Sequence, residues 1–292
     1  MVIAVASGKG GTGKTTVAVN LALTVPRAVR LLDCDVEEPN CQIFLKASIE
    51  RREPVNIAVP VVDEGKCTAC GECSQMCQYN AIVSLKTRPL VFPELCHACG
   101  GCAKVCPVEA IREVKHEVGI VEFGARDSAK FVCGRLKVGQ PLATPVVRAV
   151  RRSASSDAVN IVDCPPGTSC PVIAAMREAD AAILVAEPTP FGLHDLVLAV
   201  QTAQRLQIPS GVVINRSDAG DARVRKYCVD EGLPVLLEIP EDRRVAEAYS
   251  RGEVIVNALP EYRAAFERLW TELNRLVQPA SHMFGGTARA DV

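Results

Sequence analysis

Short runs rich in Val, Ile, Ala and Leu recur along the chain, and each ends in a polar or glycine-bearing loop. Val2–Ala6, Val29–Asp33, Asn160–Asp163, Ala181–Ala186, Gly211–Asn215 and Pro234–Ile239 are the clearest. Nearly continuous apolar character, rather than alternation, is the pattern of strands covered on both faces, as in a parallel sheet. Patterns of helical period lie between these runs, over Thr15–Thr24, Leu193–Leu206, Ala219–Glu231 and Glu261–Val277. The alternation predicts βαβ units, a mostly parallel sheet, and ligands bound beyond the carboxyl ends of its strands. Tyr262, Phe266, Leu269, Leu273 and Leu276 form a stripe of i, i+3, i+4 spacing. A tail follows it and its polar face mixes Glu with Arg, so it reads as a docked terminal helix rather than a membrane-binding one. The pattern breaks over residues 56–112, entered through Pro54 and Pro60. The predicted organisation is a discontinuous body of residues 1–55 and 113–278, an inserted domain over 56–112, and a flexible Gly-, Ala- and Ser-rich tail over 279–292.

Cysteine spacing explains the break. The chain has 14 cysteines. Cys67, Cys70, Cys73 and Cys77 read C-x2-C-x2-C-x3-C; Cys96, Cys99, Cys102 and Cys106 repeat the pattern and Pro107 follows. This resembles the ligand spacing of bacterial two-cluster ferredoxins, with two [4Fe-4S] clusters held in an α+β fold. Three cysteines two residues apart wrap one cubane, and the fourth crosses to the other. The expected sets are therefore Cys67, Cys70, Cys73 and Cys106 for the first cluster, and Cys96, Cys99, Cys102 and Cys77 for the second. Ala81-Ile82 and Ala110-Ile111 follow the two fourth cysteines at matching offsets, the mark of an internal repeat. The competing readings are a disulfide framework, which needs an oxidising compartment, and zinc sites, which use paired C-x-x-C units. Gln78 stands where ferredoxins usually place proline, a departure that removes no ligand.

Composition narrows the class. At 292 residues, 48% hydrophobic and 23% charged with a formal net charge of −1, the chain reads as globular, with no bulk charge for nucleic acid. Aromatics are 4%. No stretch is long and apolar enough to span a bilayer. The first strand enters a glycine loop at once, so no targeting peptide is expected, and the expected compartment is a reducing cytoplasm.

That loop, Gly8-Lys9-Gly10-Gly11-Thr12-Gly13-Lys14-Thr15, fits G-x-x-x-x-G-K-[ST] and is followed by Thr16. Its glycines offer backbone N–H groups to phosphates, and the helix N-terminus adds its dipole. Lys14 reaches the terminal phosphates and Thr15 ligates Mg2+. With Lys9 as a second lysine, the segment resembles the deviant Walker A of the MinD, ParA, Mrp and nitrogenase-iron-protein superfamily of P-loop NTPases. In that superfamily the early lysine reaches the nucleotide of a homodimer partner, neutralising charge on the leaving phosphate as an arginine finger does.

Further segments are similar to that family. Asp33-Cys34-Asp35 through Asn40 resembles its switch I, which implies that Asp35 positions the attacking water. Asp163-Cys164-Pro165-Pro166-Gly167 resembles Walker B running into switch II, which implies Asp163 on the Mg2+ side. Asn215-Arg216-Ser217-Asp218 resembles the base-recognition motif, and Pro240-Glu241-Asp242 the loop closing over the base. Asn215-x-x-Asp218 also resembles a guanine-selecting motif, so the preference for ATP is inherited from the family. The insertion between switch I and Walker B resembles MinD-type ATPases with an inserted ferredoxin domain, and the likeness runs to about residue 278. It implies an ATPase of slow turnover that dimerises through its nucleotide face and couples ATP to electron transfer with a redox or metal-cofactor protein. A cluster assembly or carrier ATPase of Mrp type is the alternative. A positional ATPase of ParA or MinD type is weaker, because no basic run or terminal membrane helix supports it. No nucleic-acid or membrane partner is expected.

Other residues read blandly. His194-Asp195 suggests a helix cap, His97 an exposed loop position, and Cys34, Cys41, Cys164 and Cys228 buried small hydrophobes. Cys170 stands at the offset from Asp163 where the nitrogenase iron protein places an interfacial cysteine, with Cys133 as a conceivable second ligand.

Overall fold

The computed structural model describes residues 1–85 and 87–277 of the chain. In order, β1 (Val2–Ala6) feeds α1 (Lys14–Ala22), β2 (Val29–Asp33) feeds α2 (Cys41–Leu45), and β3 (Ser48–Val62) leads outward to the cysteine segment. That segment holds α3 (Glu72–Met76), β4 (Ile82–Ser84), β5 (Pro89–Val91) and α4 (Gly101–Lys104). The chain returns on β6 (Ile111–Arg126) and β7 (Ala129–Leu136), then continues through α5 (Thr144–Arg151), β8 (Val159–Asp163), α6 (Cys170–Met176) and β9 (Ala181–Ala186). It closes with α7 (Pro190–Arg205), β10 (Ser210–Asn215), α8 (Arg223–Asp230), β11 (Val235–Ile239), α9 (Arg243–Ser250), α10 (Ile255–Ala258) and α11 (Arg263–Val277).

Among the described residues nine strands form one sheet in the order β11-β10-β9-β1-β8-β2-β7-β6-β3. Pairing is parallel from β11 to β7 and antiparallel across β7-β6-β3. The apolar runs form the parallel part because each is covered twice. Leu32, Val162 and Leu184 face a core completed by α5, α6 and α7. Leu31, Ile161 and Ile183 face the opposite core, completed by α1, α2 and α11. On α11, Phe266, Leu269, Trp270 and Leu273 are buried in that second core, so the apolar stripe is a docking face. No helix among the described residues is long and apolar enough to cross a membrane.

Several expected boundaries move. α7 starts at Pro190, not Leu193, because Thr189 Oγ1 accepts the Gly192 N–H at 3.0 Å and Pro190 suits the first turn. His194-Asp195 therefore lies inside the helix and does not cap it. α8 starts at Arg223, not Ala219, since Arg216 is left-handed (φ 50°) and Asp221 Oδ1 accepts the Arg223 N–H at 3.0 Å.

The positions expected to bound the insertion, 56 and 112, fall inside β3 and β6, which pair continuously from Ser48↔Ala125 to Val62↔Ile111 apart from two register shifts. Body and insertion thus share one antiparallel ribbon. Pro54 and Pro60 are tolerated in β3 because it is the edge strand. The last β6–β7 pair is Gly119 with Leu136, so the ribbon overshoots the carboxyl end of β7 and carries the cysteine loops beyond it. The tail expected over residues 279–292 lies outside the described residues.

Candidate functional site

The loop after β1 folds tightly for steric reasons. Gly13 has φ 96°, and a Cβ there would sit 2.5 Å from Asn215 Nδ2. At Gly8 a Cβ would clash with the Asp195 carbonyl oxygen of α7. Ser7 Oγ donates to the Lys9 carbonyl at 2.6 Å, and the buried Lys14 points its Nζ to the same oxygen at 3.4 Å. Gly10, Gly11 and Thr12 complete the turn, and Thr15 and Thr16 open α1 behind Lys14. Thr12 Oγ1 is buried without a hydrogen-bond partner.

At the carboxyl end of the sheet, β2 and β8 bring Asp33 and Asp163 side by side in register. Asp163 Oδ2 accepts from Thr15 Oγ1 at 2.6 Å and from the Cys41 thiol at 3.3 Å, while its Oδ1 is buried with no partner. Thr15 and Asp163 are hard oxygen donors, and the unpartnered Oδ1 fits a divalent cation such as Mg2+. Asp33 shapes the following loop, accepting the Asp35 N–H at 3.2 Å and the Cys41 N–H at 3.0 Å. Burial and then the nearby Asp163 charge push Asp33 well above the usual carboxylate range. Asp35 is pushed up to about 6, first by burial and then by Asp163, against a lowering pull from Lys14.

Lys9, which the resemblance sends across a dimer, is held here within its own chain. Its Nζ lies 3.3 Å from Glu187 Oε2, and Arg216 Nη1 lies 3.2 Å from Glu187 Oε1. No sequence pattern marks Glu187, a lone glutamate after an apolar strand. Asn215, expected at the base, donates its Nδ2 to the Thr12 carbonyl at 2.9 Å and so braces the phosphate loop. Asp218 Oδ1 accepts the Glu241 N–H at 2.6 Å, fastening the Pro240–Asp242 loop beside Asn215–Asp218. Asp242 caps α9 through the Arg244 N–H at 2.9 Å and pairs with the Arg244 side chain, which holds its carboxyl down to about 2.

The cysteine segment repeats in its backbone as well as its sequence. Ala69 and Ala98 are both left-handed (φ 54° and 53°), as are Asn80 and Glu109 (φ 52° and 48°). Ala81 N–H points to Cys77 Sγ at 3.3 Å, and Ala110 N–H to Cys106 Sγ at 3.2 Å. Cys67, Cys70, Cys73 and Cys106 line one small pocket with Val62 and Ile111 of the ribbon. In the second group, burial raises the Cys96 thiol against the lowering pull of the Ala98 N–H, which points to its Sγ at 3.4 Å. Convergent thiols with sulfur-directed N–H groups fit an iron–sulfur cluster. Between the two runs, Tyr79 and His97 stack with centroids 3.5 Å apart.

Cys170 and Cys133 do not come together as a ligand pair within one chain. Cys170 is exposed at the start of α6, whereas Cys133 is buried on β7 on the Asp33 side of the sheet. Cys41 is buried in the core as expected, and its thiol also donates to Asp163 Oδ2.

Comparison with known proteins gives a family description, CobQ/CobB/MinD/ParA nucleotide binding domain, that matches residues 3–255. An uncharacterized protein of Methanocaldococcus jannaschii is 30% identical over 258 residues, covering 87% of this chain and 90% of its own length. The iron-sulfur cluster carrier protein of Pyrococcus abyssi is 25% identical over 272 residues, covering 87% of this chain and 78% of that protein. Among solved structures, the septum site-determining protein MinD of Pyrococcus horikoshii, in complex with Mg-ADP, superposes with a TM-score of 0.59 at 19% identity. The match covers 97% of this chain and 99% of that one, a likeness of fold.

Proposed function

The chain belongs to the CobQ/CobB/MinD/ParA nucleotide-binding family, and on that premise we propose an ATP-hydrolysing iron–sulfur protein whose nucleotide state gates electron transfer with a metalloprotein or metal-cofactor partner. The observation that carries this reading is the ribbon itself. Eight cysteines sit in the segment between β3 and β6, and the same two strands belong to the sheet whose carboxyl end holds Asp163 and Lys14. In this reading residues 56–112 are a two-cluster ferredoxin unit carried on the ribbon.

Bound Mg2+ would supply charge neutralisation at the phosphates, and the two [4Fe-4S] clusters one-electron chemistry. The chain's own residues do the rest. Lys14, Thr12 and the loop N–H groups bind phosphate, and Thr15 and Asp163 hold the cation. Asp35 orients the attacking water. Lys9, released from Glu187, reaches the partner's nucleotide in a homodimer. A second reading has its own support: relatives 24–27% identical carry the name iron-sulfur cluster carrier protein, and there the cluster is cargo. Against its simplest form, no C-x-x-C follows Cys170 in this chain.

Anaerobically purified protein is expected to hold about eight irons and eight labile sulfides per chain. Its dithionite-reduced clusters should pass electrons to a viologen acceptor at rates that differ between Mg-ATP and Mg-ADP. Lys14→Ala should keep the iron and lose that difference. Zinc in place of iron, or rates indifferent to nucleotide in the unmodified protein, would overturn the reading. Iron leaving the chain for an apo-ferredoxin acceptor on ATP addition would favour the carrier instead.

A further inference from the structure

A chain of polar contacts, joined through the α2 backbone between Cys41 and Gln42, runs from the phosphate loop to the ribbon that carries the cysteines. Thr15 Oγ1 donates to Asp163 Oδ2, which also accepts from the Cys41 thiol. Cys41 opens α2, and its neighbour Gln42 turns the other way, its Oε1 accepting from Arg135 Nη2 on β7 at 3.0 Å. Arg135 Nε donates to Glu122 Oε2 on β6 at 2.7 Å, and Arg52 Nε on β3 donates to Glu122 Oε1 at 2.8 Å. Glu122 is buried (4% exposed), so its two oxygens depend on those two arginines. Register explains the alignment. Asp163, Asp33, Cys133 and Glu122 are consecutive partners across β8, β2, β7 and β6, and form one polar row. Two backbone bonds run alongside. Leu136 N–H donates to the Val36 carbonyl in the loop after β2, and Lys137 N–H donates to the Val118 carbonyl on β6.

This arrangement has two properties that a coupling element needs. At one end lies Asp163, whose Oδ2 is shared by Thr15 and Cys41 and whose Oδ1 has no partner, so a cation ligated by Asp163 and Thr15 would bear directly on the group that also holds Cys41. At the other end lies a buried carboxylate on the ribbon that cannot release Arg135 without leaving an oxygen unpaired. Between them α2 is a single short helix ended by Lys46 in the left-handed region (φ 51°), an element able to shift as a unit. We propose that Gln42, Arg135 and Glu122 are positioning residues that couple the Mg2+–phosphate site to the β3–β6 ribbon and so to the cysteine loops. The proposal rests on the nucleotide-gated reading above and names its route.

The test is hydrogen–deuterium exchange on the full iron-loaded protein with and without Mg-ATP, following peptides from residues 52–62 and 111–122, with nucleotide affinity measured in parallel. In the unmodified protein Mg-ATP should change ribbon exchange by about fivefold, a typical coupling between sites. Gln42→Ala should bind Mg-ATP with unchanged affinity and lose the ribbon response, while Gln42→Glu, which keeps the acceptor, should restore it. Arg135→Lys keeps the charge beside Glu122 but lacks the fork that spans both partners. It should uncouple as Gln42→Ala does, and the double variant should lose no more than either single one. A full ribbon response in Gln42→Ala or Arg135→Lys would overturn the route while leaving nucleotide gating intact. Loss of nucleotide affinity in Gln42→Ala would also overturn it, by placing Gln42 in the binding site. An unmodified protein whose ribbon ignores Mg-ATP would overturn the gated reading and this route together.

Discussion

Asp35, proposed to orient the attacking water, destabilises the nucleotide-free fold when ionised. Its carboxyl is half-buried beside Asp163, and its pKa is raised from 3.8 to about 6 by burial first and that neighbouring charge second. The folded chain therefore holds the Asp35 proton more tightly than the unfolded chain does. The stability linked to it is full below about pH 4 and is lost as the pH rises through about 6. Asp35→Asn, neutral at every pH, should make the nucleotide-free protein more stable than the parent by about 1–2 kcal/mol at pH 7.5, after discounting for partial exposure. Anaerobic thermal melts should show that gap narrowing as the pH is lowered to 5. A gap independent of pH would place the gain elsewhere than in relief of the charged pair. The same substitution should stop hydrolysis while leaving nucleotide binding, since Asp35 makes no hydrogen bond to the phosphate loop among the described residues.

At the scale of elements, the proposed crossing of ligands between two clusters gives a sharper expectation than iron content alone. Cys106 leaves the second run to join Cys67, Cys70 and Cys73 around one cavity. Cys106→Ser should therefore damage the cluster of the first run and spare that of the second, leaving about half the iron and one of two paramagnetic signals after reduction. Cys77→Ser should do the converse, and loss of the same signal in both variants would refute the crossing. These loops are legible from sequence because eight thiols at fixed spacing have few uses, and the parallel strands are legible because burial on two faces demands unbroken apolar runs. The ribbon is not legible. Over residues 48–54 β3 is an edge strand carrying Glu50, Arg51, Arg52 and Glu53, and all but one of its positions there are exposed, so no periodicity announces it. Glu122 and Cys41 are equally silent: one is a charged residue whose partners lie on two other strands, the other a thiol whose neighbour is known only once β8 is placed.

For the molecule as a whole, a single chain leaves one part of the nucleotide machinery pointed inward. Lys9 is paired with Glu187, which it shares with Arg216. Such a half-exposed ion pair is worth about 1 kcal/mol or less, so a partner's nucleotide can readily take the lysine. The proposed role of Lys9 requires cooperation between two chains, and mixing dead variants tests it. Lys9→Ala and Asp35→Ala homodimers should each be inactive, the first for want of a trans cation and the second for want of an oriented water. In a mixed dimer the Lys9→Ala chain keeps Asp35 and receives Lys9 from its partner, so one of the two sites is complete. Equal mixing makes about half the dimers mixed, and hydrolysis should recover to about a quarter of the unmodified rate. If Lys9 acts only on its own chain's nucleotide, no site in any dimer is complete and the mixture stays as inactive as its components. Recovery would also bear on the ribbon. Two sheets meeting at their carboxyl ends would bring both sets of cysteine loops to the face where nucleotide is exchanged, because the ribbons overshoot at that end.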